Sequence, residues 1–395
     1  MTLSLKDQPP ANGMADWDRM RGQMPVTKRW SYFDHAAVAP IPQRAFDRIS
    51  RWAGQALYDG DAVWSEWSGQ YEQVRRLAAQ ILSSGADEIG LVPNTSFGIN
   101  MVAEGFPWQA GDNVVIPAGE FPSNVYPWMN LADRGVEVRV VPLDGVRVCL
   151  NQIVDAMDAR TRIVSASWVG YATGYRLNPY ELGELVHRRG ALFFLDAIQG
   201  LGVFPLDLSQ GAVDFLAADG HKWLLGPEGA GLFYVKREHL DLLRPLSVGW
   251  NSVQQGNDFS RIELRLRQAA SRYESGSQNL AGFIGLLGSL ETLWEFGLRH
   301  DQSAIGERVL QVTDALCERL SAVGATIFSD RSSDDVKSGI VQFELPGRDS
   351  VQLRQKLLGR QVVVSCRGGR LRASAHAYNH DDDIAQLCMA LKDES

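Results

Sequence analysis

Short apolar runs recur through the middle of the chain, at 113–117, 136–142, 162–169, 191–196, 215–217 and 231–235, and they constrain the fold more than any other feature. Runs of this length without polar alternation are what strands covered on both faces show. Stretches of helical texture, such as 179–189, lie between several of them. Strand, helix, strand in regular order predicts an α/β fold with a mostly parallel sheet and right-handed crossovers. Ligands on such sheets collect outside the carboxyl ends of the strands, and Asp196 and the residues after Val169 fall at ends of that kind. The texture changes after about residue 265, where a helical stretch at 279–297 leads to a strand at 340–344, a helix at 349–358 and a strand at 362–365. The expected organisation is an N-terminal segment 1–30, a large α/β domain 31–265 and a smaller α+β domain 266–395. The N-terminal segment is expected to pack against the small domain or lie over the large one.

A chain of 395 residues can bury a large core. A net charge of −8 argues against nucleic-acid or anionic-membrane partners. No run of apolar residues is long enough to predict a membrane span, and the polar, Pro-broken first thirty residues do not read as a signal peptide. Four widely spaced cysteines, at 149, 317, 366 and 388, fit a reducing cytoplasm and form neither a disulfide framework nor a zinc pattern. A nicotinamide dehydrogenase would need a glycine motif between a strand and a helix, whereas the glycine cluster at 226–231 leads into a strand.

Two residues carry the chemistry. Lys222, in His221-Lys222-Trp223, lies 26 residues after Asp196, which ends an apolar run. A lysine at one strand end and an acid at a neighbouring one is the arrangement that pyridoxal phosphate chemistry uses. The amine forms a Schiff base, and the acid keeps the pyridine nitrogen protonated so that the ring accepts carbanion electrons. A lysine of lowered pKa is nucleophilic toward aldehydes and can then act as base at a substrate α-carbon. Asp196 is also placed to cap the helix that follows it. Asn94-Thr95-Ser96 precedes an amphipathic stretch ending near Gly105, and hydroxyls with free N–H groups at a helix start make an anion site; a plain N-cap would show the same residues. The segment 367–372 offers three arginines, and a planar guanidinium matches a substrate carboxylate.

The segments Phe33-Asp34-His35-Ala36-Ala37, Asn94-Thr95-Ser96-Phe97-Gly98-Ile99-Asn100, Glu120-Phe121-Pro122-Ser123-Asn124, Asp196-Ala197-Ile198-Gln199, Gly220-His221-Lys222, Arg272-Tyr273-Glu274-Ser275-Gly276-Ser277 and Arg372-Ala373-Ser374 with Tyr378-Asn379 occur in that order. Together they resemble the class V aminotransferase family of fold-type-I pyridoxal phosphate enzymes, from about Tyr32 to Asn379. That group includes cysteine desulfurases, isopenicillin N epimerase-like proteins, kynureninase-like hydrolases and C–S lyases. The resemblance implies a fold-type-I PLP transferase, a phosphate at Thr95 and Ser96, His221 beside the cofactor and Gln199 at its phenolic oxygen. It puts Phe121 on the ring, where desulfurases carry histidine, and Tyr171 near the phenolic oxygen, where they carry asparagine. It selects Arg372 for the substrate carboxylate, and it has the His35 loop face the substrate, where His35 would help set specificity. Ser277 would reach the phosphate of a partner subunit, making the enzyme a homodimer with shared sites.

The chain departs from the desulfurase pattern in one informative place. The segment from Val362 to Arg372 leaves no room for a mobile loop carrying a catalytic cysteine, and Cys366 lies only six residues before Arg372. Asp219 stands where many relatives bind phosphate through a serine, so its carboxylate is expected to turn toward a backbone donor. The function expected is a transferase or lyase acting on an amino acid. A desulfurase or selenocysteine lyase and an epimerase remain as alternatives. A catalytically silent cofactor-binding protein is disfavoured by the intact Lys222, Asp196 and Arg372.

Overall fold

The structure, a computed structural model, describes residues 16–392. After a short strand β1 (Ser31–Tyr32), seven strands build the principal sheet: β2 (Ile89–Val92), β3 (Asn113–Pro117), β4 (Glu137–Val141), β5 (Thr161–Ser167), β6 (Leu192–Asp196), β7 (Phe215–Asp219) and β8 (Gly231–Val235). Their order is β2-β8-β7-β6-β5-β3-β4. Neighbours from β4 to β7 pair in parallel, and β8 runs antiparallel to both β7 and β2. Only β8 is therefore reversed, and β2, β3, β5, β6 and β7 all end on one edge.

Both faces of this sheet are covered, which is why its strands read as unbroken apolar runs. Along β6, Phe193 and Leu195 enter one apolar layer and Phe194 the other. Along β7, Leu216 and Ala218 divide from Phe215 and Ala217 in the same way. The helix Thr95–Gly105 lies directly on β7. Gly98 makes that approach possible, because a Cβ there would stand 2.6 Å from the Ala217 Cβ.

Five further strands follow: β9 (Thr326–Ile327), β10 (Ile340–Glu344), β11 (Val362–Val363), β12 (Ser365–Arg367) and β13 (Arg370–Ser374). Four of them form an antiparallel sheet, β12-β13-β10-β9, over a third apolar cluster that includes Leu316, Phe343, Leu371 and Leu387. The single strand expected at 362–365 is divided. β11 pairs in parallel with β1, and β12 turns to β13. A strand pairing between residues so far apart in sequence leaves no local signal. Of the N-terminal segment, residues 16–30 are described. Met20 and Met24 are fully buried, and Arg21 pairs with Asp383 at 2.7 Å.

Candidate active site

The common edge of the large sheet and the β12–β13 hairpin enclose a cavity of about 280 Å³. It is lined by Thr95, Ser96, Phe121, Tyr171, Asp196, Gln199, His221, Lys222 and Arg372, nine of the expected residues. A wider groove of 920 Å³ between the N-terminal helices contains none of them.

Asp196 closes β6 and is 2 % exposed. Its carboxylate accepts the Ile198 N–H at 3.1 Å, but the residues that follow form turns, so the helix it was expected to cap is absent there. Burial pushes its pKa up to about 6, with the Ile198 hydrogen bond and the charge of Lys222 pulling the other way. Among the described residues no cation stands within ion-pair distance of it. Lys222 has the complementary character. Burial pulls its amine down to about 8, Asp196 opposing and Arg372 assisting. Its Nζ makes no hydrogen bond or ion pair among the described residues and stands 5.4 Å from the centre of the Phe121 ring. The loop that holds it is tight. Leu225 N–H donates to the Lys222 carbonyl at 2.9 Å and Gly226 N–H to the Gly220 carbonyl at 2.7 Å. Leu225 adopts a left-handed φ of +56°, unusual for a branched apolar residue.

At the start of helix Thr95–Gly105, the Asn94 side chain accepts the Phe97 N–H at 2.8 Å. The N–H groups of Thr95 and Ser96 have no protein partner among the described residues. Thr95 Oγ1 accepts the Asp219 N–H at 2.9 Å, and Ser96 Oγ donates to Ser123 Oγ at 2.7 Å. These hydroxyls and two free N–H groups form the kind of anion cradle expected at a helix start. Asp219 takes the Gly220 N–H at 2.7 Å, the backbone donor anticipated for it, and its other oxygen lies 2.8 Å from His221 Nδ1.

Gln199 is fixed from both sides, donating to the Ala36 carbonyl at 3.0 Å and accepting from Trp223 Nε1 at 2.8 Å. Phe121 and Tyr171 meet edge to face with centroids 5.3 Å apart. Arg372 is 1 % exposed. It donates to Ser365 Oγ at 3.0 Å, to the Tyr171 carbonyl at 2.6 Å and to Asp34 at 3.2 Å.

Two expected residues lie elsewhere. Ser277 is exposed and does not line the cavity. His35 corrects its expectation. Its ring is fully buried, with Nδ1 2.8 Å from the Ser374 carbonyl and Nε2 2.6 Å from the Tyr378 hydroxyl. It packs beside Trp223 and does not face the cavity, because a neutral imidazole satisfied at both nitrogens is stable in the protein interior.

The sequence reading assigned no role to three residues in or beside the cavity. Asp34 holds Arg372. Arg367 lines the cavity beside it. Glu120 is half-buried and binds Ser167 and Asn124, and desolvation pushes its carboxyl up to about 7. The signal for Arg367 was present, since a strand–Gly-Gly–strand pattern places it on the same face as Arg372. Glu120 stands in a quoted segment, but its contact with Ser167, on β5, left no local signal.

A doubly covered, mostly parallel sheet with an unpartnered lysine and an acid at adjoining strand ends defines a fold-type-I architecture. The family model for class-V aminotransferases matches residues 31–387, and the chain belongs to that family, whose enzymes work with pyridoxal phosphate on amino acids. A probable cysteine desulfurase of Methanothermobacter thermautotrophicus is 30 % identical, with 95 % of this chain and 97 % of the relative covered. Isopenicillin N epimerase of Streptomyces clavuligerus is 27 % identical over 96 % and 98 % of the two chains. Among solved structures, the apo cysteine desulfurase of Thermococcus onnurineus superposes with a TM-score of 0.86 at 22 % identity, covering 97 % of this chain and 99 % of that one.

Proposed function

We propose that Lys222 is the attachment point of pyridoxal phosphate and that the cavity performs α-carbon chemistry on an amino acid, as a transferase or lyase. The observation that carries this is the pair of buried groups with no ionic partner, the Lys222 amine and the Asp196 carboxylate. Each is costly alone in the protein interior, and each has its complement in this cofactor. Bound there, the cofactor would supply an electron sink for charge developing at the α-carbon. Asp196 would face the ring nitrogen, Phe121 its plane, and Tyr171 and Gln199 its phenolic edge. Thr95 and Ser96 would take the phosphate, with His221 alongside, next to Asp219. Arg372 orients the substrate carboxylate, and Lys222, with an amine that titrates near 8, takes and returns the proton at the α-carbon.

The geometry speaks against a persulfide-forming enzyme, despite the desulfurase relatives. Cys366 is the central residue of β12, paired opposite Leu371. Its neighbours Ser365 and Arg367 face the cavity side, so the alternation of the strand turns Cys366 away. Epimerisation remains as a second reading, favoured by the likeness to isopenicillin N epimerase.

We also propose that a second copy of the chain covers the site. Ser277 is exposed, and so are Phe259, Ile262 and Leu264, at 73 %, 90 % and 76 %. An apolar group of this kind marks an interaction surface. The four unpaired cysteines favour a reducing cytoplasm.

The test is cofactor uptake with product analysis. The protein should bind pyridoxal phosphate and turn yellow, and Lys222→Ala should lose both the colour and turnover. Retained turnover would refute the assignment. Labelling of the apoprotein by an amine reagent should show Lys222 reacting with a midpoint near pH 8, below an ordinary lysine.

A further inference from the structure

We propose that Arg367 reads a second anionic group on the substrate, so that the preferred amino acid carries an acidic side chain such as a carboxylate or sulfinate. This rests on the reading of the cavity as the cofactor and substrate site.

β12 and β13 form a hairpin whose turn residues Gly368 and Gly369 have φ of +58° and +76°. Two positive φ values in a two-residue turn fix a tight hairpin and its register. In that register Ser365 is opposite Arg372 and Arg367 is opposite Arg370. Cross-strand partners share a face, so Ser365, Arg367, Arg370 and Arg372 all project from one side. Three guanidinium groups on one small surface repel each other unless each has a counter-charge. Arg370 has Glu344 at 3.4 Å and also covers the Phe328 ring. Arg372 has Asp34. Arg367 has no carboxylate within ion-pair distance among the described residues, and its guanidinium donates to the Cys366 carbonyl at 2.9 Å. Of the three, this one and Arg372 line the cavity.

A count of donors separates their roles. Arg372 spends one N–H each on Ser365, Tyr171 and Asp34. A guanidinium has five, so one remains on each terminal nitrogen, enough to grip a single carboxylate. The α-carboxylate is thus served by Arg372 alone. The cavity's own acids do not neutralise Arg367. Asp219 accepts the Gly220 N–H and has its other oxygen 2.8 Å from His221 Nδ1, and Asp196 stands at the end of β6. A ligand with one carboxylate leaves a cation over, and a ligand with two anionic groups satisfies both.

The cofactor-loaded protein is titrated with L-aspartate, L-glutamate and L-cysteine sulfinate, and with L-alanine and L-serine, reading the change in cofactor absorbance. The acidic amino acids should bind more tightly. Arg367→Gln should lower the ratio of acidic to neutral affinity by about tenfold or more, and Arg367→Lys should restore part of it. An equal loss for both classes would mean that Arg367 shares the α-carboxylate with Arg372, and would overturn the proposal. So would a wild-type protein that binds alanine as tightly as the acidic amino acids. Competition by succinate against butyrate on the wild-type protein asks the same question without a substitution, and equal competition also overturns it. Cofactor uptake is measured first. A wild type that takes up none refutes the underlying assignment, a result distinct from uptake without acidic preference.

Discussion

Burial without an ionic partner is the property that Asp196 and Lys222 share. Asp196 and Lys222 are each desolvated, and their pKa values move toward one another, up to about 6 and down to about 8. Each shift is a stability statement, and the signs differ among the buried groups. His35 is pulled down to about 4 by burial, so it stays neutral in the folded protein. Between pH 6.5 and 4 the unfolded chain binds that proton more readily, and stability is lost as pH falls through this window. Asp196 works in the opposite sense. The folded state keeps its proton up to about pH 6, so its penalty appears as pH rises from 3.8. His35 should contribute a loss on the order of 3 kcal/mol on acidification. Denaturant melts of the apoprotein across pH 4–7 should show this loss, and His35→Gln should flatten it while lowering stability at neutral pH. An unchanged slope in that variant would mean that other groups govern acid unfolding. Lys222, Asp196 and Arg372 were legible in the sequence because each stands at a strand end or in a short motif. The burial of His35 was not, since it depends on Ser374 and Tyr378, more than three hundred residues away.

Elements position these side chains, and their close approach sets the tolerances. The helix Thr95–Gly105 brings its free N–H groups to the sheet edge only because Gly98 lets it rest on β7. Gly98→Val should destabilise the protein by about 1–3 kcal/mol through overpacking against Ala217 and Phe233. Because the same displacement moves the anion cradle, that variant should also weaken uptake of pyridoxal phosphate, measured by titration of the apoprotein. Full affinity with lowered stability would separate the helix position from phosphate binding. Most strands of the large sheet were legible, since continuous apolar runs leave few other readings. β2 was not. Its four residues include Gly90, and only pairing with the reversed β8 makes them a strand.

The candidate site lies where the large sheet, with an apolar cluster on each face, meets the small sheet and its own cluster. The helix Ala304–Ala322 spans two of these clusters, giving Ile305 and Val309 to one and Val312, Leu316 and Leu320 to the other. β1 ties the start of the described chain to β11 near its end. The exposed apolar residues at 259–264 predict association. Sedimentation should show a dimer at micromolar concentration, and Ile262→Asp should shift it toward monomer and reduce cofactor retention. A stable monomer with full cofactor affinity would remove the second copy from the site. By itself the sequence determined the fold class, the family and which of Lys222, Asp196, Thr95 and Ser96 to look for at the strand ends, because these depend on local periodicity and on motifs a few residues long. Only the tertiary structure decided which arginines share the cavity, which one keeps its charge unpaired, and that His35 lies behind the site instead of in it. Those facts depend on hydrogen bonds and ion pairs between distant segments, and local sequence does not encode which partner a buried polar group will find.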